Sequence, residues 1–262
     1  MTKIKINKIK QSPSEIFRFE NGMVMAGDTE LEKWRAETLF SKEPETIAWI
    51  EHYSKDGGIF YDVGANIGSY SLYAAYNNSK LDVYSFEPVT KNFLTLIRNR
   101  DLNKLNNLIP FQIALSSTNE MNTIYISDDR IGNSGAQIRA PINEHGQQFK
   151  PLFEEKLLCL KLDSMIDEFH FPTPNFIKID VDGHELDILD GAEKTLARSE
   201  LSSILIECNG EENKNKINFF LEKKGFFPDD YFNNLSDHSS KRRRNRVDNV
   251  ATNIVYSKGR KA

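Results

Sequence analysis

Residues Ile59-Phe60-Tyr61-Asp62-Val63 form a short apolar run, and the chain then turns between Gly64 and Gly68 into a helical pattern from Tyr70 to Tyr76. A run this short, apolar almost throughout and closed by glycine, predicts a strand buried on both faces. Burial on both faces demands helices above and below, so this one segment already points to a layered α/β domain. The pattern recurs. Strands are predicted at Val83 to Phe86, Ile109 to Leu115, Thr123 to Ile126, Leu157 to Leu160, Phe176 to Val181, Ile204 to Cys208 and Ala251 to Tyr256. Helical spacing follows at Phe93 to Arg98, from Glu185, and over residues 214 to 224. Strand–helix alternation of this kind predicts a mostly parallel sheet.

Ahead of it, Glu43-Pro44 places proline where the first turn of a helix tolerates it, with Ile47, Ile50 and Tyr53 at helical spacing and Gly57-Gly58 as the stop. Residues 1–43 read as a polar lead-in, with Trp34 and Arg35 as candidates for an acceptor-facing lid and core packing expected for Trp34. Residues 44–262 read as the main domain. The polar stretches 127–150 and 229–250 read as loops.

Ligands of open α/β sheets bind beyond the carboxyl ends of the strands. At the end of the first strand stands Asp62-Val63-Gly64-Ala65-Asn66-Ile67-Gly68, and at the end of the second stands Glu87. Gly64 permits close backbone approach to a ligand, Gly68 permits tight helix packing, and a carboxylate at Glu87 can accept both hydroxyl protons of a ribose. A nicotinamide dinucleotide would suit some of these features. However, Asn66 occupies the position of the middle glycine of G-x-G-x-x-G, and the Asp62 charge would repel a pyrophosphate. A ligand carrying an ammonium and a sulfonium would be welcomed there, which favours S-adenosylmethionine.

At these residues the chain resembles the FkbM-type methyltransferase family. The resemblance is carried by Asp62-Val-Gly-Ala-Asn-Ile-Gly68, Tyr84-Ser-Phe-Glu-Pro88, Ala114-Leu-Ser116, Phe176-Ile-Lys-Ile-Asp-Val-Asp-Gly-His-Glu185 and, more weakly, Ile204-Leu-Ile-Glu207. It implies a Rossmann-like class I methyltransferase fold, a three-layer α/β/α sandwich around a seven-stranded, mostly parallel sheet whose last strand is antiparallel. It implies an S-adenosylmethionine-dependent O-methyltransferase, with family members acting on sugars and other hydroxyl-bearing acceptors. By position, Asp62, Gly64, Ala65, Asn66, Gly68, Glu87 and Pro88 would form the cofactor site, with Ala114, Leu115 and Ser116 near the adenine. This chain departs from the family at Asp182, where glutamate is common, and at His184.

Methyl transfer to oxygen requires the acceptor hydroxyl to lose its proton as it attacks, so a positioned base is expected. Asp180, Asp182 and His184 are the candidates. If the strand runs through residue 182, Asp180 and Asp182 share a face, with Asp180 toward the methionine part of the cofactor and Asp182 or His184 toward the acceptor. The alternative is that one acid merely caps the helix beginning at Glu185. No metal site is expected. His184-Glu185 lacks the second histidine of a zinc helix, because Ile188 stands there, and the glycine of Asp180-Val-Asp182-Gly183 comes too early for a calcium loop. A divalent ion shared by the acids and the acceptor is the one metal-dependent variant left open.

Arg242, Arg243 and Arg244, within Lys241 to Arg246, read either as a solvated loop or as a clamp for an anionic acceptor. The net charge of −4 and the lack of aromatics among these arginines argue against a nucleic-acid partner. Two cysteines, no apolar run of membrane-spanning length and no signal-peptide pattern fit a cytoplasmic protein acting on a small molecule or glycan. An NAD-dependent oxidoreductase and a non-catalytic S-adenosylmethionine-binding regulator are the competing functions.

Overall fold

The computed structural model describes residues 15–143, 146–235 and 252–259. A seven-stranded sheet carries the domain: β3 (Gly58–Val63), β4 (Leu81–Phe86), β5 (Leu108–Phe111), β10 (Phe176–Ile179), β11 (Ser203–Cys208), β12 (Phe226–Pro228) and β13 (Thr252–Lys258). Their spatial order is β12-β13-β11-β10-β3-β4-β5. All contacts from β11 through β5 are parallel, and β13 runs antiparallel to both of its neighbours. The chain lays down β3, β4 and β5 outward in one direction, then returns to place β10 on the other side of β3. That reversal leaves a crevice over the carboxyl ends of β3 and β10, where such sheets bind ligands.

Alternation along each strand sorts the core into two layers. Tyr61, Phe86, Ile177, Ile179, Ile204 and Ile206 pack on one face with Leu189, Leu196, Ile217 and Leu221, from α6 (Glu185–Asp190), α7 (Glu193–Ala197) and α8 (Gly210–Lys223). Phe60, Val83, Phe176 and Leu205 pack on the other with Trp49 and Ile50 of α2 (Pro44–Tyr53) and Leu72 of α3 (Ser69–Asn77). Phe60 and Phe176 stack with centroids 4.6 Å apart and Trp49 meets Phe176 edge-on, so aromatics fill this layer.

The segment read as a polar lead-in joins that second layer. Met23 and Met25, in and beside the hairpin of β1 (Ile16–Arg18) and β2 (Val24–Ala26), are buried with Ala36 and Leu39. The hairpin docks on α4 (Thr90–Asn103) through amides: Ala26 N donates to Asn99 Oδ1 and Val24 N to Asn103 Oδ1, each at 2.8 Å. Trp34 is not a core residue; it is 43% exposed on α1 (Glu30–Thr38).

Two further corrections follow. The strand expected over Ile109 to Leu115 divides at Gln112-Ile113. β5 ends at Phe111 on the sheet edge, where Pro110 is tolerated, and β6 (Ala114–Leu115) joins a separate sheet. That sheet has the order β6-β9-β7-β8, with β7 (Glu120–Ile126), β8 (Ala136–Ile138) and β9 (Phe153–Leu160). It takes up the stretches expected at 123–126 and 157–160, and β8 interrupts the loop expected over 127–150. Residues 230–235 are helical rather than loop.

Candidate functional site

The turn after β3 is built by backbone. Gly64 has φ +78°, and a Cβ there would stand 1.8 Å from the Asp180 carbonyl oxygen, so only glycine fits. Its N–H and that of Ala65 donate to Phe86 O at 3.0 and 3.1 Å, tying the turn to β4. Asn66 follows in the left-handed region at φ +53°. Its N–H donates to Glu87 Oε2 at 2.8 Å, and Val89 N–H donates to Glu87 Oε1 at 2.9 Å. Glu87 is 4% exposed, and burial pushes its carboxyl up to about 7 despite these donors. The Asn92 side chain is a third donor to it, and the roughly four acceptor sites of a carboxylate leave room for a further one.

Gly64, Ala65, Asn66, Glu87 and Pro88 line one cleft with Ala114 and Leu115. Phe86, Ile113, Ile124, Ala136 and Ile138 give this end an apolar slot. The cleft measures about 1080 Å³ including its open mouth, in the range for a nucleoside-sized ligand. Ser69, at the start of α3, also lines it, and its buried hydroxyl has no hydrogen-bond partner among the described residues. An apolar slot, a two-oxygen acceptor at Glu87, a glycine cradle and an orphaned hydroxyl at a helix start fit adenine, ribose and the polar methionine end in that order.

Three expected cofactor residues do not line the cleft. Asp62 lies on the Phe60 face of β3, where strand alternation turns its carboxyl under α3. There it accepts a hydrogen bond from Ser71 Oγ and sits 3.9 Å from Lys178 Nζ, fully buried. Its Oδ1 has no hydrogen-bond partner among the described residues. Gly68 packs on Leu96 as the start of α3, at φ +83°. Ser116 points to Arg139, whose Nη2 donates to its hydroxyl at 3.1 Å.

The other end of the cleft is built by side chains. β10 stops at Ile179, so Asp180 and Asp182 do not share a strand face as expected; Asp182 sits at φ +52°, in the left-handed region, and Gly183 at +104°. Asp180 and Asp182 nevertheless both line the cleft, as does His184. Lys178 donates to Asp180 Oδ2 at 2.7 Å from a position 1% exposed, with the Tyr70 ring 5.3 Å from its Nζ. Burial works against both charges, but their mutual attraction wins: the Lys178 ammonium is held well above, and the Asp180 carboxyl below, the usual range. Glu207, at the end of β11, lines the cleft beside Asp180, since the register pairs Ile179 with Ile206. The Asp180 charge, then burial, push its carboxyl up to about 9.

His184 is tied at both nitrogens. Nε2 lies 3.2 Å from Gln137 Oε1, and Nδ1 lies 3.5 Å from Asp187 Oδ2. Gln137 is oriented by donating its Nε2 hydrogen to Asp182 O at 3.1 Å, so both imidazole nitrogens face acceptors.

Opposite the acids stands Arg35. A capping box fixes the start of α1, with Glu32 N donating to Thr29 Oγ1 and Thr29 N to Glu32 Oε2. Arg35, in the last turn, donates from Nε to Gly132 O at 2.8 Å. Asn66 and Asn92 side chains both donate to Asn133 O, so the 132–133 loop is strapped over the cleft. The Arg35 Nη atoms make no hydrogen bond among the described residues, and Arg35 and Lys42 both line the cleft.

Sequence reasoning missed Lys178, Glu207, Ser69 and Lys42. Glu207 carried a readable signal, an acid closing a buried strand in the same way as Glu87, and Lys178 stands alone among apolar neighbours in β10. Arg242, Arg243 and Arg244 lie outside the described residues. Among the described residues, no three His, Cys, Asp or Glu side chains converge as a metal site requires, and no helix is long and apolar enough to cross a membrane.

Comparison with known proteins identifies the family. The hexuronic acid methyltransferase AglP of Haloferax volcanii is 26% identical over 194 residues, covering 74% of this chain and 73% of that protein. Methyltransferase 1 of Beauveria bassiana is 23% identical over 182 residues, covering 65% and 73%. Among solved structures, a precorrin-6y C5,15-methyltransferase from Geobacter metallireducens is similar with a TM-score of 0.44 at 14% identity, covering 80% of this chain and 83% of that one. The Methyltransferase FkbM domain model matches residues 62–228, from the turn after β3 to the end of β12. That match removes the nicotinamide alternative, and the chain belongs to the FkbM methyltransferase domain family, as an S-adenosylmethionine-dependent methyltransferase.

Proposed function

We propose that the protein methylates a hydroxyl oxygen of a saccharide, and that this saccharide carries a carboxylate. The observation behind the reading is the pairing of functions at the wide end of the cleft: the unpaired Nη edge of Arg35 on one wall, carboxylates at the ends of β10 and β11 on the other. Arginine presents a planar fork matched to a carboxylate. The hexuronic acid named for the Haloferax volcanii relative is a substrate of that chemistry. Arg242, Arg243 and Arg244, outside the described residues, are further candidates in this reading for binding an anionic acceptor.

When bound, S-adenosylmethionine supplies a methyl group on a sulfonium whose charge disappears on transfer. The protein has to place the hydroxyl in line and accept its proton. Asp182, on the strained turn at the cleft mouth, is the base in this reading. Asp180 is a positioning residue, ionised by Lys178 and holding the charge pattern around it. His184 is a positioning residue for the turn, with Nε2 3.2 Å from Gln137 Oε1 and Nδ1 3.5 Å from Asp187 Oδ2.

The test is formation of S-adenosylhomocysteine with matched uronic acids and neutral hexoses. Loss of a charge-assisted hydrogen bond corresponds to about 1.5–3 kcal/mol, so the uronate should be favoured roughly ten- to hundredfold in kcat/KM. Arg35→Gln should remove that preference. Equal turnover of both sugars would refute the carboxylate, and methylation confined to nitrogen acceptors would refute the hydroxyl.

A further inference from the structure

The wide end of the cleft gathers more acid than the cations beside it can balance. Around Glu207 stand Lys178 from β10, Asp180 and Asp182 from the turn that follows it, and Glu43 with Lys42 ahead of α2. Arg35 approaches from α1, and Asn253, the register partner of Glu207 on β13, donates instead to Glu45 Oε1 at 3.2 Å. Lys178 is shared: it donates to Asp180, lies 3.9 Å from Asp62 and is also held by the Glu43 charge. Lys42 is engaged by Glu43 at 2.5 Å. No hydrogen bond to the Glu207 carboxyl is made among the described residues, and the residue beside it just past the end of β10, Asp180, is a carboxylate.

The position of this group along the cleft is fixed by topology. The apolar slot lies toward β5 and the ribose acceptor Glu87 ends β4, so the polar end of the cofactor extends the other way, over β3 and β10. Glu207 ends the next strand in that direction.

We infer that Glu207 is protonated in the free protein and releases that proton when S-adenosylmethionine binds, the sulfonium taking the place of the proton in the acid cluster. The inference rests on the cofactor placement above and not on the identity of the acceptor. Its consequence for the reaction balances. The acceptor O–H bond breaks as the O–C bond forms, the C–S pair stays on sulfur, and the cluster loses one positive charge. Glu207 then recovers a proton, that of the acceptor hydroxyl passed inward through Asp182, and the free-protein state is restored. The Asp180 charge and then burial, which push the Glu207 carboxyl up to about 9, support a protonated resting form.

S-adenosylhomocysteine differs from S-adenosylmethionine by the methyl group and one charge, so the two ligands isolate the effect. Glu87, held near 7, meets the same ribose in both and cancels between them. Calorimetry of each ligand at pH 7.5, in two buffers of different ionisation enthalpy, should give more proton release with S-adenosylmethionine, the difference approaching one. The ratio of the two affinities should move toward S-adenosylmethionine as pH rises from 6.5 to 8.5, by at most about tenfold per pH unit. In Glu207→Gln the difference in proton release should vanish while S-adenosylhomocysteine affinity is retained. Equal proton release by both ligands in the unmodified protein overturns the inference, whatever the variant does. Persistence of the difference in a folded Glu207→Gln overturns it too. Binding of neither ligand would instead refute the cofactor placement on which it stands.

Discussion

The two ends of the cleft are made of different materials. Toward β4 and β5 the site is backbone and apolar surface: the Gly64 turn, the N–H groups of Asn66 and Val89, one carboxyl at Glu87, and a slot of aliphatic residues. Toward β10 and β11 it is charge: Lys178, Asp180, Asp182, Glu207, with Arg35 and Lys42 reaching in from residues that precede the sheet. Backbone geometry of the first kind binds one invariant ligand. Side-chain charge of the second kind varies with the residues supplied, and in the reading proposed above it selects the acceptor. The division predicts that substitutions at the first end change S-adenosylhomocysteine affinity, while those at the second spare it and change transfer.

The largest effect is expected at Asp182. Asp182→Asn keeps size and polarity but cannot take a proton, so kcat should fall about 10²–10⁴-fold with cofactor affinity unchanged. A parallel loss of cofactor affinity would break the division. Asp180→Asn sharpens it from the other side. That change leaves the Lys178 ammonium, 1% exposed, without its nearest counter-charge. Removing one partner of a buried pair typically costs about 3–5 kcal/mol, so this variant should show a lowered unfolding midpoint before any change in kcat is interpreted.

Gly64→Ala comes next. The new Cβ would collide with the Asp180 carbonyl, and φ +78° alone disfavours alanine by about 1–3 kcal/mol. A denaturation midpoint lowered by that much or more is expected, with cofactor binding weakened in whatever folded protein remains. An unaltered midpoint would mean that β3 and β10 can separate at the cleft.

What the sequence made legible follows the same line. Strand β3, its glycine turn and Glu87 are readable because a parallel strand buried on both faces is a continuous apolar run and its terminal turn has few backbone solutions. Asp62 does not line the cleft for a reason that alternation along β3 makes readable: it goes with Phe60 to the α3 face. The hairpin docking Met23 and Met25 escaped notice because it depends on amide contacts from Asn99 and Asn103, seventy or more positions on. Periodicity does not carry information of that range. The Asp180–Asp182 face failed because β10 stops at Ile179 and Asp182 adopts a left-handed conformation, which no alternation pattern anticipates. Arg35 was singled out with Trp34, yet only the 132–133 loop shows which of them faces the cleft.

The central claim is that Glu87 and the β3 turn hold the cofactor while the acids at β10 and β11 serve transfer. Titration of S-adenosylhomocysteine into the unmodified protein, Glu87→Gln and Asp182→Asn tests it in one series. Glu87→Gln removes the charge that accepts the ribose hydroxyls and should weaken binding about ten- to hundredfold at pH 8, the range for losing a charge-assisted hydrogen bond. Because the Glu87 carboxyl titrates near 7, the unmodified protein should bind more tightly as pH rises from 6 to 8, and Glu87→Gln should lose that rise. Asp182→Asn should bind as the unmodified protein does. Full affinity in Glu87→Gln, or its loss in Asp182→Asn, would contradict the account.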